Sequence, residues 1–118
     1  MFKLKINFYS LDSNILLDIF GEREVYTSFG TKSKISDNIE VQLGQIRIYE
    51  AITPQPYEII IYIYEKIIQP TAVGILSAWL YDILKNKTNE ITIEDTTIEL
   101  EQEKIQETLI EKTEIKEN

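Results

Sequence analysis

Residues 57–84 read YEIIIYIYEKIIQPTAVGILSAWLYDIL, a run in which Glu58, the Glu65-Lys66 pair and Asp82 are the only charged side chains. So much apolar surface in one place has to be buried, and Gln69-Pro70 divides it into two elements. Ile59-Ile60-Ile61-Tyr62-Ile63-Tyr64 is β-branched or aromatic at both alternating parities, as expected of a central strand covered on both sides. Thr71 to Leu84 is apolar around most of its circumference, as expected of an enclosed helix. Pro70 suits the first helical turn, and Lys85 and Lys87 complement the dipole at the other end. Val73, Ile75, Leu76, Trp79, Leu80, Ile83 and Leu84 would cover the buried surface, with Trp79 in the core. Gly74, Ser77, Ala78, Tyr81, Asp82 and Lys85 form the narrower remaining stripe. Gly74 and Ala78 are small residues four apart, which suits a close approach by the sheet or by a subunit contact.

The flanking segments supply the rest of a sheet. Phe2, Leu4, Ile6 and Phe8 alternate with Lys3, Lys5, Asn7 and Tyr9, the pattern of a half-buried strand. Asp12 or Ser13 can cap a short helix through Phe20 that Gly21 would stop, although Ile15, Leu17 and Ile19 also suit a strand. Val25 to Phe29 reads as a strand and the polar stretch from Gly30 to Asn38 as a loop. Apolar parity switches at Gly44, from Ile39, Val41 and Leu43 to Ile46 and Ile48. A hairpin turning at Gly44-Gln45 accounts for this slightly better than one long strand bulged at Gly44. Ile91 to Leu100 reads as a second hairpin turning at Asp95-Thr96, pairing Ile93 with Ile98 and Ile91 with Leu100. Residues 103–116 have helix-forming composition, but Ile105, Leu109, Ile110 and Ile115 make a weak stripe. The like-charge Glu103/Glu107 and Glu107/Glu111 pairs oppose it, which predicts a frayed helix.

Composition narrows the chemistry. The 118 residues, length for one domain, include no cysteine and no histidine. That leaves no disulfide, no thiolate ligand, no cysteine nucleophile and no imidazole base. The four glycines are scattered singly, so no phosphate-cradling loop occurs. No catalytic residue, metal ligand set or cofactor site is therefore expected, and the chain reads as a non-enzyme. Glu94, Asp95 and Glu99 lack the spacing of a calcium loop. Lys3 and Lys5 break up the first apolar segment, so it does not read as a signal peptide. Glu65, Lys66 and Pro70 similarly break any membrane span, and a cytoplasmic protein is expected.

The net charge of −8 is unevenly placed. Residues 90–118 hold ten carboxylates against Lys104, Lys112 and Lys116, a net −7. Such a chain is repelled by nucleic acid and anionic lipid, and any electrostatic steering is toward a basic protein surface. In the hairpin, Glu94, Glu99 and Glu101 would face water or that partner. Of the seven tyrosines, Tyr9, Tyr26, Tyr49 and Tyr57 are the candidates for an exposed sheet face, whereas Tyr62 and Tyr64 belong to the core strand.

The block from Ala72 to Lys85, AVGILSAWLYDILK, followed by Ile91–Glu94 and Thr97–Leu100, resembles the small effector-associated constant component domains of bacterial conflict systems over residues 70–112. The resemblance implies an α+β domain with an Ala-Trp-Leu helix, a strand pair and a short last helix. It also implies an adaptor that couples proteins without catalytic residues. The expected architecture is α+β, a mainly antiparallel sheet of five to seven strands with the helix at about 70–85 packed on it. Residues 1–112 would form a single domain, with 113–118 a disordered acidic tail. The expected function is a protein–protein adaptor in bacterial defence; the alternative is an acidic inhibitor, immunity or anti-defence protein. The candidate contact residues are Glu94, Glu99, Glu101, Gly74 and Ala78, and a homodimer is one use of the last two.

Overall fold

A computed structural model describes residues 1–12, 14–21, 30–46, 54–66 and 68–117, with side chains omitted at 45, 46 and 115–117. The expected strand at Val25–Phe29, together with Tyr26 and Tyr49, lies outside the described residues. The described elements are β1 (Phe2–Ser10), α1 (Ile15–Phe20), β2 (Lys32–Ser36), β3 (Ile39–Ile46), β4 (Gln55–Ile63), α2 (Pro70–Leu84), β5 (Glu90–Ile93), β6 (Thr96–Glu99) and α3 (Gln102–Glu117). The fold is α+β. Its described strands form one six-stranded antiparallel sheet in the order β2-β3-β4-β1-β5-β6.

Alternation in β1 places Phe2, Leu4, Ile6 and Phe8 inward. Pairing from Phe2↔Ile63 to Ser10↔Gln55 sets Ile59, Ile61 and Ile63 of β4 on the same side. β4 and β5 run parallel on either side of β1, joined by α2, which makes a split β-α-β unit. The three described helices bury residues in the cluster under this one face: Ile15, Leu16 and Ile19 from α1, Val73, Leu76, Leu80 and Leu84 from α2, Ile105 and Leu109 from α3. Among the described residues, no helix lies on the other face. The expectation that β4 is covered on both sides is therefore corrected: Ile60 and Tyr62 are half-buried on the open face.

Local chemistry explains several departures from expectation. Gly21 stops α1 with φ 73° and donates its N–H to Leu17 O at 2.8 Å, as anticipated. Asp12 does not cap the helix; its Oδ1 accepts the N–H of Asn14, the residue at the cap position. β2 lies in the stretch expected to be loop, because KSKIS is an edge strand with little to bury. Residues 39–46 form one strand, not a hairpin. The β3–β4 register shifts between Leu43 and Ile46, so the parity switch at Gly44 marks a bulge. A Cβ at Gly44 would lie 2.7 Å from Glu58 Cγ, so glycine leaves the Glu58 side chain its place over the bulge. The β5–β6 turn is at Glu94-Asp95, with Glu94 at φ 56°, and pairs Ile91 with Ile98 and Ile93 with Thr96.

α3 extends past the expected boundary at 112. Ile105, Thr108, Leu109, Lys112 and Thr113 fall at helical spacing and are all buried. Thr108 and Thr113 are tolerated there because their hydroxyls donate to the carbonyls of Lys104 and Leu109, each at 2.8 Å. Thr113, placed by expectation at the start of a tail, is thus part of the packed helix. Trp79 is partly buried on the shoulder of α2, not enclosed; Leu76 and Leu80 occupy the centre of the buried stripe. No helix among the described residues is long and apolar enough to cross a membrane.

Candidate interaction surfaces

The acidic residues singled out in the sequence have partners. Lys104, in the first turn of α3, reaches Glu99 at 3.2 Å and Glu101 at 3.3 Å, and these carboxylates hold its ammonium pKa above the ordinary lysine value, Glu99 first. Lys112 bonds Asp95 at 2.6 Å and lies 3.8 Å from Glu111. Glu94 holds the hairpin turn, its backbone N–H donating to Lys5 O at 2.8 Å. Gly74 and Ala78 are half-buried, and a Cβ at Gly74 would meet nothing within 4 Å. Nothing packs closely against Gly74.

Acidic charge that keeps no described ion pair lies on the outer side of α3. Glu103, Glu107 and Glu114 are exposed there, with Ile110 among them at 41% exposure. Spacings of three and four residues put Glu103, Glu107, Ile110 and Glu114 on one stripe. Beside it, Ile68, Pro70 and Val73 from the start of α2 and Gln106, Ile110, Thr113 and Glu114 from α3 line a groove of about 240 Å³. Ile68, Pro70, Val73 and Ile110 make its lining apolar, and Glu114 brings a carboxylate to it. The sequence reading included Ile110 in a weak core stripe; the core contacts go to Thr108, Lys112 and Thr113 instead.

The open face of the sheet is the second surface. Lys3 and Lys5 of β1 and Lys32 and Lys34 of β2 are exposed there. Lys32 Nζ sits 5.4 Å and Lys3 Nζ 6.0 Å from the Tyr62 ring centroid, within cation–π reach. The Tyr62 hydroxyl donates to Gln42 Oε1 at 2.6 Å, and its ring stacks with Tyr64 at 6.3 Å. Desolvation and Glu40 keep the Tyr64 phenol above its ordinary range. The expected assignment of the tyrosines is thus reversed in part. Tyr62 and Tyr64 lie on the open face with Tyr9, whereas Tyr57 is buried and stacks on Phe8 at 5.5 Å.

A cleft of about 640 Å³ lies at the end of β1 and the α2–β5 connection. Ser10, Asp12 and Lys87 of its lining are engaged within the chain. Ser10 Oγ donates to Lys87 O at 2.9 Å and accepts the Asp12 N–H at 3.0 Å, while Lys87 Nζ pairs with Asp12 at 3.8 Å and with Asp18. These bonds tie β1 and α1 to the end of α2. Comparison with family models, curated proteins and solved structures finds no match to this chain.

Proposed function

We propose that this chain is a non-enzymatic protein-interaction module, an adaptor, that docks a basic amphipathic segment of its partner in the groove between α2 and α3. One observation carries the reading: Ile110 is exposed beside an apolar groove and between the carboxylates of Glu107 and Glu114. An apolar anchor ringed by like charges suits a segment with apolar residues on one side and Lys or Arg on the other. Exposed charges chiefly speed association and choose the partner, while the apolar contact sets residence time. The adaptor role is also what the resemblance over residues 70–112 implies, and a bacterial defence setting rests on that resemblance.

An acidic inhibitor would use Glu103, Glu107 and Glu114 without requiring the groove. The net charge of −8 favours that second reading. A labelled cationic amphipathic peptide, titrated by fluorescence anisotropy, separates the two. For the docking reading, Ile110→Ser weakens binding roughly tenfold, the scale of one lost apolar anchor, with most of the loss in dissociation rate. Unchanged affinity in Ile110→Ser, with binding abolished in the Glu107→Lys, Glu114→Lys double variant, favours the inhibitor.

A further inference from the structure

The walls of the α2–α3 groove offer the backbone of an occupant few partners. Both walls are helices, not the edge of a sheet. Pro70 carries no N–H, and the Val73 N–H is bonded to Gln69 O at 3.3 Å. The Thr113 hydroxyl donates within α3, to Leu109 O at 2.8 Å and Ile110 O at 3.1 Å. Among the described lining residues, Gln106 and Glu114 are the other polar side chains. An extended segment laid there would turn backbone N–H and C=O groups toward apolar side chains, and strand addition needs an open sheet edge. A helix brings its backbone bonds with it.

Gln106, Ile110 and Glu114 are spaced four residues apart and all line the groove, so they form one row along α3, about 12 Å long. The row has an uncharged amide at one end, the exposed Ile110 in the middle and, at the other end, a carboxylate that keeps no described ion pair. We infer that the docked segment is an α-helix that seats one apolar residue against Val73 and Ile110 and sets a Lys or Arg, one turn from it, at Glu114. This rests on the docking reading proposed above and adds the conformation of the segment and the position of its charge. Glu103 and Glu107 lie outside the groove lining and act on the approach of the segment more than on its seat. A segment of two or three turns is only marginally helical when free, so it orders on binding.

Two peptides of identical composition, labelled with carbon-13 at Cα and titrated with the full chain, test this. In one, Leu and Lys recur at spacings of three and four residues around a central Leu; in the other they alternate. The first binds, and its Cα shifts move to helical values at saturation. The alternating peptide binds roughly tenfold more weakly, the scale of one unseated apolar side chain. Glu114 is exposed, so Glu114→Gln keeps the fold; it weakens the first peptide roughly threefold, as loss of an exposed ion pair does. A version with Gln in place of the lysines four residues from the central Leu binds wild type and Glu114→Gln alike. Binding without helical Cα shifts overturns the helix, and so does tighter binding by the alternating peptide. If Ile110→Ser still weakens that binding, the docking reading stands without the helix. Unchanged affinity in Glu114→Gln overturns the placement of the cation. Failure of both peptides to bind overturns the inference together with the docking reading.

Discussion

Lys112 Nζ bonds Asp95 Oδ1 at 2.6 Å, tying the second half of α3 to the β5–β6 turn. The lysine side chain is 9% exposed and its partner 84% exposed, so the stem packs under the hairpin while the charge reaches the surface. The pair explains why a helix with few apolar residues is docked along its length.

The same pair sets a pH dependence. The hydrogen bond from Lys112 holds the Asp95 pKa below its ordinary 3.8, and the bond to Asp95 holds Lys112 above its ordinary 10.5. A lowered carboxylate contributes stability that is fully present above its unfolded value and lost as pH falls through the folded one. A raised lysine contributes stability that is fully present below its unfolded value and lost as pH rises through the folded one. Lys112→Met keeps the packed stem and removes the charge. Urea midpoints across pH should show wild type gaining most over the variant between about 4 and 10, with the gain shrinking on both sides. A difference that stays the same below about 4 and above about 10 as well would show that the ion pair contributes nothing.

Trp79 lies on the shoulder of α2, and this lowers the expected cost of removing it. A fully enclosed tryptophan loses about 3–5 kcal/mol on truncation to alanine; partial exposure brings Trp79→Ala to about 2 kcal/mol. Leu80→Ala, from the centre of the stripe, should cost at least as much despite its smaller volume. Denaturant melts of the two variants decide the order, and a Trp79 loss well above that of Leu80 would place the indole in the core.

Glu94 occupies φ 56°, a conformation that costs a side-chain-bearing residue about 1–2 kcal/mol relative to glycine. Glu94→Gly should therefore raise stability by about 1 kcal/mol once the extra freedom of the unfolded chain is counted. Thermal melts showing destabilisation would mean that the Glu94 side chain contributes more than its backbone costs.

Much of the fold is legible in the residues. The alternation of Phe2 to Phe8, the Gly21 stop and the Pro70 start of α2 all read correctly, because each is a local rule obeyed without tertiary help. β4 misleads, because Ile60 and Tyr62 put strand-forming residues on a wet face. α3 misleads the other way. Thr108, Lys112 and Thr113 complete its buried side while looking polar, and only their bonds to backbone carbonyls and to Asp95 reveal it. The hairpin register was out of reach, since nothing in the sequence marks Glu94 for a positive φ. Acidity near the C-terminus was legible, but not which carboxylates Lys104 and Lys112 engage. That depends on where α3 lies against β6, and it moves the unpaired charge from Glu99 and Glu101 to the side of α3 bearing Ile110.

The bulge at Gly44 makes a sharp steric prediction. A Cβ there would meet Glu58 Cγ at 2.7 Å, and Glu58 also lies 4.0 Å from Lys5. Gly44→Ala should cost about 1–3 kcal/mol by displacing that side chain. Adding Glu58→Ala should recover most of the loss, and a double-variant cycle with no coupling would move the strain from the side chain to the backbone.

The central claim is that the groove between α2 and α3 receives a partner. Amide chemical-shift mapping during titration with the cationic amphipathic peptide reports directly where contact occurs. Shifts concentrated at Val73, Gln106, Ile110, Thr113 and Glu114, and lost in Ile110→Ser, are the predicted result. Shifts centred on the β5–β6 hairpin or on the open sheet face, with the groove residues unmoved, would contradict it.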